Sequence, residues 1–319
     1  MDGDDLDGLL VRIDHLCADG DWDGVVDLRD RCRRAFLERG RQLWPASSHA
    51  EYRLALEAPG PWAAEVLTPE AGKFSLGPLA EVAASTHTWA ELAPHAPPTP
   101  EAGMAAHERV VRGEDLSGRA DVAGGVLELP LRLEPWEPVY PVAGYKPHEA
   151  QFPDVALPPL GEVGLPTAAP VVDDPDGCGA LVDLAAVWKR ESNGEVAAVG
   201  VAGDALGAVA ALGVERARMS EVTPDHAVAV MAWAAASGGA HGRRRGMAAG
   251  RFSAWWTVAA LGDLLGDWPF RPDDVGDVAA ELRWYRWDVG GPATGWSLRL
   301  AVEDPDAGRA WAVQATDRV

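Results

Sequence analysis

Apolar residues recur with helical spacing along the first 112 residues of the chain. In the first predicted helix they are three or four positions apart, at Leu6, Leu9, Leu10, Ile13 and Leu16. A break at Gly20 and Asp21 separates this helix from a longer one, which we expect Pro45 to end. Further helices are predicted over residues 50–58, 79–93 and 101–111. The pattern indicates an all-helical domain over residues 1–112, and it leaves open whether these helices form a bundle or a solenoid.

The end of the chain has the strict alternation that is typical of a half-buried strand. Trp296, Leu298, Leu300 and Val302 alternate with more polar residues, and a turn over 304–308 leads into a returning strand. Together with residues 282–288 these strands predict an antiparallel meander with one face covered by helices. Other strands are predicted at 196–201 and 216–222, and helices at 181–189, 205–212, 224–236 and 246–265. We therefore expect residues 177–319 to form a domain of mixed helix and sheet.

Prolines interrupt the chain between these two parts. Residues 113–176 contain eleven of them after position 129, so the segment cannot be helical and can supply only short edge strands. It also carries Trp136, Tyr140, Tyr145 and Phe152, which a free linker would rarely contain. The sequence predicts a proline-rich strap with short strands near residues 126–133. The fold class is predicted to be α+β, with an N-terminal all-helical domain and a C-terminal domain whose mainly antiparallel sheet packs against helices.

The composition of the chain argues against several classes of function. The formal net charge is -21 over 319 residues, and this argues against nucleic-acid binding, which needs a basic surface. The chain shows no signal-peptide pattern, and its longest apolar-rich stretch, 247–265, is too interrupted to span a membrane. Three widely spaced cysteines form neither a metal-ligand pair nor a disulfide framework. We expect a cytoplasmic protein with no membrane and no nucleic-acid partner.

The most unusual segment is a glycine-rich stretch, Ser237–Gly246, between two predicted helices. Its candidate site residues are Gly239, His241, Arg243, Arg244 and Arg245. Backbone N–H groups at the start of the following helix, together with the arginines, could bind a phosphate or carboxylate. His241 is the candidate acid–base group. Alternatively, the arginines pair with neighbouring acids of this acidic protein, and no nucleotide-binding fingerprint is present to decide between the two.

Other constellations are weaker. Residues 19–30 place carboxylates and a glycine at several positions of a calcium loop, but Asp30 is too short for the usual bidentate ligand, and Asp21 or Asp23 could simply cap a helix. His49, His87 and His107 fall on separate predicted helices, with no spacing that fixes two ligands on one face. No nucleophile motif is present, and Cys178 is expected in a turn. The sequence predicts no metal site, no cofactor and no catalytic residues.

Four stretches together resemble a family of uncharacterised cytoplasmic proteins from high-GC Gram-positive bacteria: 83–89, 237–246, 282–288 and 298–305. The resemblance covers nearly the whole chain and implies the compartment and a two-part architecture. It implies no activity, cofactor or catalytic residue.

These observations favour a non-enzymatic interaction or regulatory protein whose partner is another protein. A helical domain of the kind that forms binding surfaces and an excess of tryptophan, 14 in all, support this hypothesis. The alternative is an enzyme or sensor that binds an anionic small molecule, bearing phosphate or carboxylate, at the Gly238–Gly246 arginine loop.

Overall fold

Two compact units make up the chain. A computed structural model describes residues 6–39, 42–122, 126–156, 158–291 and 295–318. The first unit comprises Met1–Arg132 and Val142–Phe152, and the second comprises Leu133–Pro141 and Pro153–Val319. The proline-rich segment is therefore shared, since parts of it belong to each unit.

The first unit is helical, as its apolar spacing predicts. Its helices are α1 (Leu6–Asp19), α2 (Trp22–Arg39), α3 (Trp44–Glu57), α4 (Gly60–Glu65), α5 (Leu79–Thr86), α6 (Trp89–Leu92) and α7 (Pro100–Val111). In α1 the buried residues Ile13, Leu16 and Cys17 lie on one stripe, three and four positions apart. No helix among the described residues is long and apolar enough to cross a lipid bilayer.

In the first unit, helix boundaries differ from the sequence prediction near Pro45 and near Thr88. Pro45 does not end a helix; it lies in the first turn of α3, where its missing N–H has no intrahelical partner to lose. The helix predicted over 79–93 is interrupted at His87 and Thr88. Thr88 caps the start of α6, where Glu91 accepts hydrogen bonds from the Thr88 backbone N–H at 2.8 Å and from its hydroxyl at 2.9 Å.

The calcium-like pattern over residues 19–30 does not form a loop. Helix α2 begins at Trp22, so most of the pattern is helical and its carboxylates are distributed around a helix. Asp21 accepts the backbone N–H of Gly24 at 3.0 Å, and Asp23 accepts the indole N–H of Trp62 at 2.9 Å. The capping interpretation of Asp21 is confirmed, and these contacts give no support to calcium binding.

Strands in the proline-rich segment lie elsewhere than predicted. Residues 126–133 contain no strand. Instead, β1 (Gly144–Lys146) and β2 (Glu149–Gln151) form a hairpin in the first unit. In the second unit, β3 (Gly161–Val163) and β4 (Val171–Val172) form the two outer strands of the sheet. Edge positions suit such sequences because an edge strand leaves one side of its backbone unpaired, where proline is tolerated.

The second unit is built on a seven-stranded antiparallel sheet. Its other strands are β5 (Glu195–Ala202), β6 (Ala217–Val222), β7 (Arg283–Asp288), β8 (Trp296–Asp304) and β9 (Arg309–Asp317), in the order β3-β6-β7-β8-β9-β5-β4. The predicted hairpin at the end of the chain is confirmed: Val302 pairs with Trp311 and Leu300 with Val313. Every described strand pair is antiparallel.

Helices cover both faces of this sheet, whereas the sequence predicted one covered face. The helices of the unit are α8 (Pro175–Asp183), α9 (Ala186–Glu191), α10 (Ala205–Ala211), α11 (Pro224–Ala236), α12 (Met247–Leu261) and α13 (Pro272–Glu281), with a 3-10 turn at Leu265–Asp267. Helix α10 packs on the face that carries Trp287, Ala301 and Ala312. Helices α8 and α11 contact strands of the sheet, and α12 packs on both helices. The α+β fold class is confirmed.

A buried ion pair fixes the segment 133–141 to α12. The Arg251 guanidinium donates to both Glu137 carboxylate oxygens, from Nε at 2.7 Å and from Nη2 at 2.6 Å. Tyr140 Oη and Trp255 Nε1 donate to the same carboxylate at 2.5 and 3.0 Å. The two ionic side chains are only 1% and 0% exposed. Burial would raise the pKa of Glu137, but Arg251 holds it below the ordinary value, and burial next to Glu137 raises the pKa of Tyr140.

We expect Glu137→Gln to destabilise the second unit by about 3–5 kcal/mol, because the change leaves the buried Arg251 charge without its counterion. Urea denaturation followed by tryptophan fluorescence measures the free energy of unfolding. Glu281→Gln, at the exposed end of α13, is the matched control and should stay within about 0.5 kcal/mol of wild type. An equal effect of the two substitutions would contradict the role of the pair.

Because Glu137 is ionised in the folded chain, we expect the free energy of unfolding to depend on pH in the acid range. Its pKa in the folded chain lies below the ordinary 4.5, so its contribution is present above pH 4.5 and is lost as the pH falls through the folded-state value. The difference in unfolding free energy between wild type and Glu137→Gln should therefore be constant near neutrality and shrink below pH 4.5. A difference that stays constant throughout the acid range would rule out this contribution.

Candidate functional site

The arginine loop lies between α11 and α12, as the sequence predicts. Its backbone is held by acceptors within the second unit. Among the loop N–H groups with such partners are those of Ala240 to Asp317 Oδ2 (2.6 Å), His241 to Ser192 Oγ (3.2 Å), Gly242 to Gly238 O (3.1 Å) and Arg243 to Glu191 Oε2 (3.3 Å). The N–H of Arg245 donates to Ala236 O at 2.8 Å. These five amides already donate within the protein and are not available to an anion.

Gly239 has a structural reason to be glycine. Its φ is +72°, a conformation that residues with a Cβ rarely adopt. A Cβ there would also lie 2.2 Å from Asp317 Oδ2 and 3.1 Å from the Trp188 ring. Asp317 is fully buried, so it has little room to move away. Gly239 thus allows the loop to pack closely against the end of β9.

The predicted arginine cluster is divided by the structure. Arg245 lines an open groove of about 460 Å³, whereas His241, Arg243 and Arg244 are not among the lining residues. Arg243 and Arg244 have interactions of their own within the protein. His241 is exposed and lies outside the groove lining. Of the predicted site residues, Arg245 is therefore the one that lines this groove.

Helices α8, α9 and α12 form the walls of this groove. Besides Arg245, the lining residues are Ala180, Asp183, Ala186, Val187, Arg190, Phe252, Ser253 and Trp256. On each helix they are spaced one turn apart, so each helix presents one side to the groove. We call this cavity the Arg190–Arg245 groove.

Arg190 and Arg245 both line the groove. Desolvation lowers the pKa of Arg245 and the nearby charge of Arg190 lowers it further, while Glu191 and Asp183 partly oppose the shift. Arg190 lies 3.6 Å from Glu191 in an exposed ion pair. Within the described chain, no carboxylate lies within 4.0 Å of the Arg245 guanidinium. Like charges near each other repel, and an anion bound between the two arginines would reduce that repulsion.

An aromatic wall adjoins the arginines. The rings of Phe252 and Trp256 are stacked with centroids 6.0 Å apart and 24° between planes. Trp268 and Phe270 pack behind them, with Trp268 centroid 5.6 Å from that of Trp256 and 4.7 Å from that of Phe270. Phe252 and Trp256 are each half-buried, so part of each ring remains accessible. Such a wall can contact the apolar or planar part of a ligand.

Helix α12 is a rigid support for this wall. Arg251, next to Phe252, and Trp255, next to Trp256, both donate to the buried Glu137 carboxylate. The helix also has a close contact with α11, where a Cβ on Gly250 would lie 2.2 Å from Ala232 O. The groove side chains thus project from a helix that is fixed from behind.

A second groove lacks these properties. It has a volume of about 280 Å³ and contains Arg216 and Arg218 near Gly290. Arg218, however, makes a two-point ion pair with Asp288 at 2.8 and 2.7 Å. Its charge is neutralised by the protein itself, so this groove is the weaker candidate.

Sequence reasoning missed most of the groove. Arg190 and Asp183 are far from the loop in sequence, and only the folding of α8 and α9 brings them near Arg245. One available signal was Arg251, a charge inside an otherwise apolar helix, which indicates a buried counterion. Cys178, expected in a turn, lies instead within α8.

The three histidines considered from the sequence, His49, His87 and His107, do not form one site in the described part of the chain. The buried His87 ring lies with Nε2 2.8 Å from the Ala58 carbonyl oxygen and with Nδ1 3.0 Å from both the Ala83 carbonyl oxygen and the Thr86 hydroxyl. His49 lies instead beside Asp14 and His148. Within the groove lining there is no histidine or cysteine. The groove residues can bind and orient a ligand, and they do not include a nucleophile–base pair.

Comparison with known proteins places the chain in a family. The model of a family of unknown function, DUF6183, matches residues 7–318. No curated protein and no solved structure matches the chain significantly. The resemblance to an uncharacterised family is confirmed by this match.

We expect Gly239→Ala to destabilise the second unit more than Gly213→Ala. Both glycines have positive φ, +72° and +78°, but nothing lies within 4 Å of a Cβ on Gly213. The control should therefore show only the conformational cost of about 1 kcal/mol. The Gly239 substitution should cost about 1–3 kcal/mol more because of the clash with Asp317 and Trp188. Chemical denaturation measures both, and equal losses would contradict the packing role.

Proposed function

We propose that the chain, which belongs to the DUF6183 family, is a binding protein that takes up an anionic small molecule in the Arg190–Arg245 groove. The observation that carries the proposal is that two arginines line one open groove and that, among the residues that the structure describes, no carboxylate lies within ion-pair distance of Arg245. The proposed role is that of a non-enzymatic sensor or regulatory protein.

The groove properties favour a particular class of ligand. A phosphate or carboxylate group would bridge the two guanidinium groups, which bind such groups with paired hydrogen bonds. A planar or apolar portion would contact Phe252 and Trp256. The volume of about 460 Å³ falls within the range of roughly 300–1,000 Å³ that is common for small-molecule sites. Asp183 could accept a hydrogen bond from a ligand hydroxyl or amine.

The charges near the groove, and not the net charge of the protein, would attract an anionic ligand. The formal net charge of -21 disfavours the approach of anions, so binding would depend on groups within a few ångströms of the ligand. Arg190 and Arg245 supply that local positive charge. Inorganic phosphate would be bound by the arginines alone. An aromatic phosphate or carboxylate would also contact the aromatic wall of Phe252 and Trp256 and would therefore bind more tightly.

Other parts of the sequence interpretation stay proposals. The cytoplasmic location is supported by the three free thiols of Cys17, Cys32 and Cys178. A protein partner has support from Trp44 and Phe74, whose rings are 3.9 Å apart and whose side chains are 41% and 48% exposed. In a regulatory protein, such a partner would respond to the occupied groove.

The test is a binding panel with wild type and two arginine variants. Inorganic phosphate, nucleoside mono-, di- and triphosphates and aromatic carboxylates are screened by thermal shift, and calorimetry then gives Kd. We expect Arg245→Ala to weaken binding about tenfold or more, since a charged hydrogen bond contributes about 1.5–3 kcal/mol. Arg243→Ala is the matched control, because it removes an arginine of the same loop outside the groove lining and should leave Kd unchanged.

Stability without ligand separates a binding role from a structural one. Removing Arg245 relieves its repulsion with Arg190, so the free energy of unfolding should not fall in the unliganded variant. Equal loss of binding in Arg243→Ala and Arg245→Ala would indicate that the anion binds at the loop and not in the groove. Absence of any shift across the panel would reject the anion-binding function.

A further inference from the structure

Three elements of the first unit bring a carboxylate and two imidazoles together. Asp14 comes from α1, His49 from α3, and His148 from the turn between β1 and β2. One ligand atom from each residue lies within 4.8 Å of the other two. His49 Nε2 is 3.4 Å from Asp14 Oδ1, and His148 Nε2 is 3.5 Å from Asp14 Oδ2. All three residues belong to the first unit, so the inference does not rest on the groove of the second.

These distances are long for hydrogen bonds and suitable for shared metal ligation. An N–H···O bond usually spans about 2.7–3.2 Å. Ligand bonds to zinc are about 2.0–2.1 Å, and in a tetrahedron such bonds place neighbouring ligand atoms about 3.3–3.4 Å apart. Each imidazole nitrogen is therefore as far from one oxygen of the Asp14 carboxylate as two ligands of one ion would be from each other.

The position of His148 is fixed by contacts of the hairpin. Tyr52 of α3 donates its hydroxyl to Lys146 O at 2.5 Å, directly before the turn. Tyr145 donates to the buried Glu81 carboxylate at 2.6 Å. The rings of His49 and His148 lie face to face, with centroids 5.4 Å apart and 17° between planes. The hairpin thus holds His148 against α3 although its side chain is 66% exposed.

A simple ion pair does not account for the cluster. Asp14 does pair with Arg53 through Oδ1, and Arg53 also binds Glu57 at 2.8 Å. Because Glu57 is a second partner, Arg53 keeps a counterion when the Asp14 carboxylate binds a metal ion. Oδ2 of Asp14 faces His148. The ion pair requires Asp14 and Arg53 but gives no reason for two imidazoles to meet there.

We propose that Asp14, His49 and His148 bind a divalent transition-metal ion, with Zn²⁺ as the ion that fits the ligand set. Two imidazoles and one carboxylate are ligands that zinc prefers, whereas Ca²⁺ and Mg²⁺ select sites made of oxygen atoms. Three protein ligands leave a fourth position for water or an added ligand. Because His148 is largely exposed, that position is open to solvent.

The test uses the full chain without a polyhistidine tag, stripped of metal with a chelator. Zn²⁺ is titrated by calorimetry, and Co²⁺ by visible absorption, since its d–d bands report a tetrahedral site with nitrogen and oxygen ligands. We expect one ion per chain and a raised Tm with Zn²⁺. His148→Ala, an exposed change that should leave the fold intact, is expected to weaken binding by at least roughly tenfold and to remove the Co²⁺ bands.

His95→Ala is the matched control, because His95 is an exposed histidine of the same unit that lies outside the cluster. It should bind Zn²⁺ as wild type does. Asp14→Asn provides a second variant and should also weaken binding. Equal Zn²⁺ affinity in wild type and His148→Ala, or no stoichiometric binding in wild type, would overturn the proposal.

Discussion

The buried pair of Glu137 and Arg251 is the interaction on which the proposed groove depends. It ties an irregular segment to α12, and the neighbours of Arg251 on that helix form the aromatic wall. Ion pairs of this kind add little net stability, because desolvation of both charges offsets most of their attraction. Their stronger effect is on specificity: any packing that separates the two leaves a buried charge unpaired. The pair therefore selects one position for α12, and with it one position for Phe252 and Trp256.

The loop shows why a residue cluster in a sequence is not yet a site. Backbone N–H groups near a helix start were the expected anion ligands, but five loop amides between Ala240 and Arg245 donate to internal acceptors instead. Gly239 serves the close approach of the loop to Asp317. What the loop contributes to the groove is one side chain, Arg245, and the rest of the lining comes from helices before and after it. Site formation here is a property of helix packing more than of the loop motif.

Local patterns predicted the fold well and the sites poorly. The alternation from Trp296 to Val302 specified a hairpin because the period of two is a local property of a strand. Edge strands such as β3 and β4 carry no such pattern, because only their pairing with longer strands stabilises them. The cluster of Asp14, His49 and His148 could not be predicted from local patterns either, because long-range contacts form it. Its third member lies in a hairpin turn that tertiary contacts with Tyr52 and Glu81 bring to α3.

Both proposed sites stand out against the charge of the whole molecule, and they do so in opposite ways. A net charge of -21 raises the local concentration of cations, so Asp14 and its two imidazoles need only supply ligand geometry. The Arg190–Arg245 groove has to overcome the same field. At physiological ionic strength charges beyond about 8 Å are largely screened, so two guanidinium groups in direct contact with a ligand outweigh distant carboxylates. Selectivity in the groove must then come from short-range contacts, which are the paired hydrogen bonds of arginine and the aromatic wall. That requirement favours a ligand with both an anionic group and a ring over a simple inorganic anion.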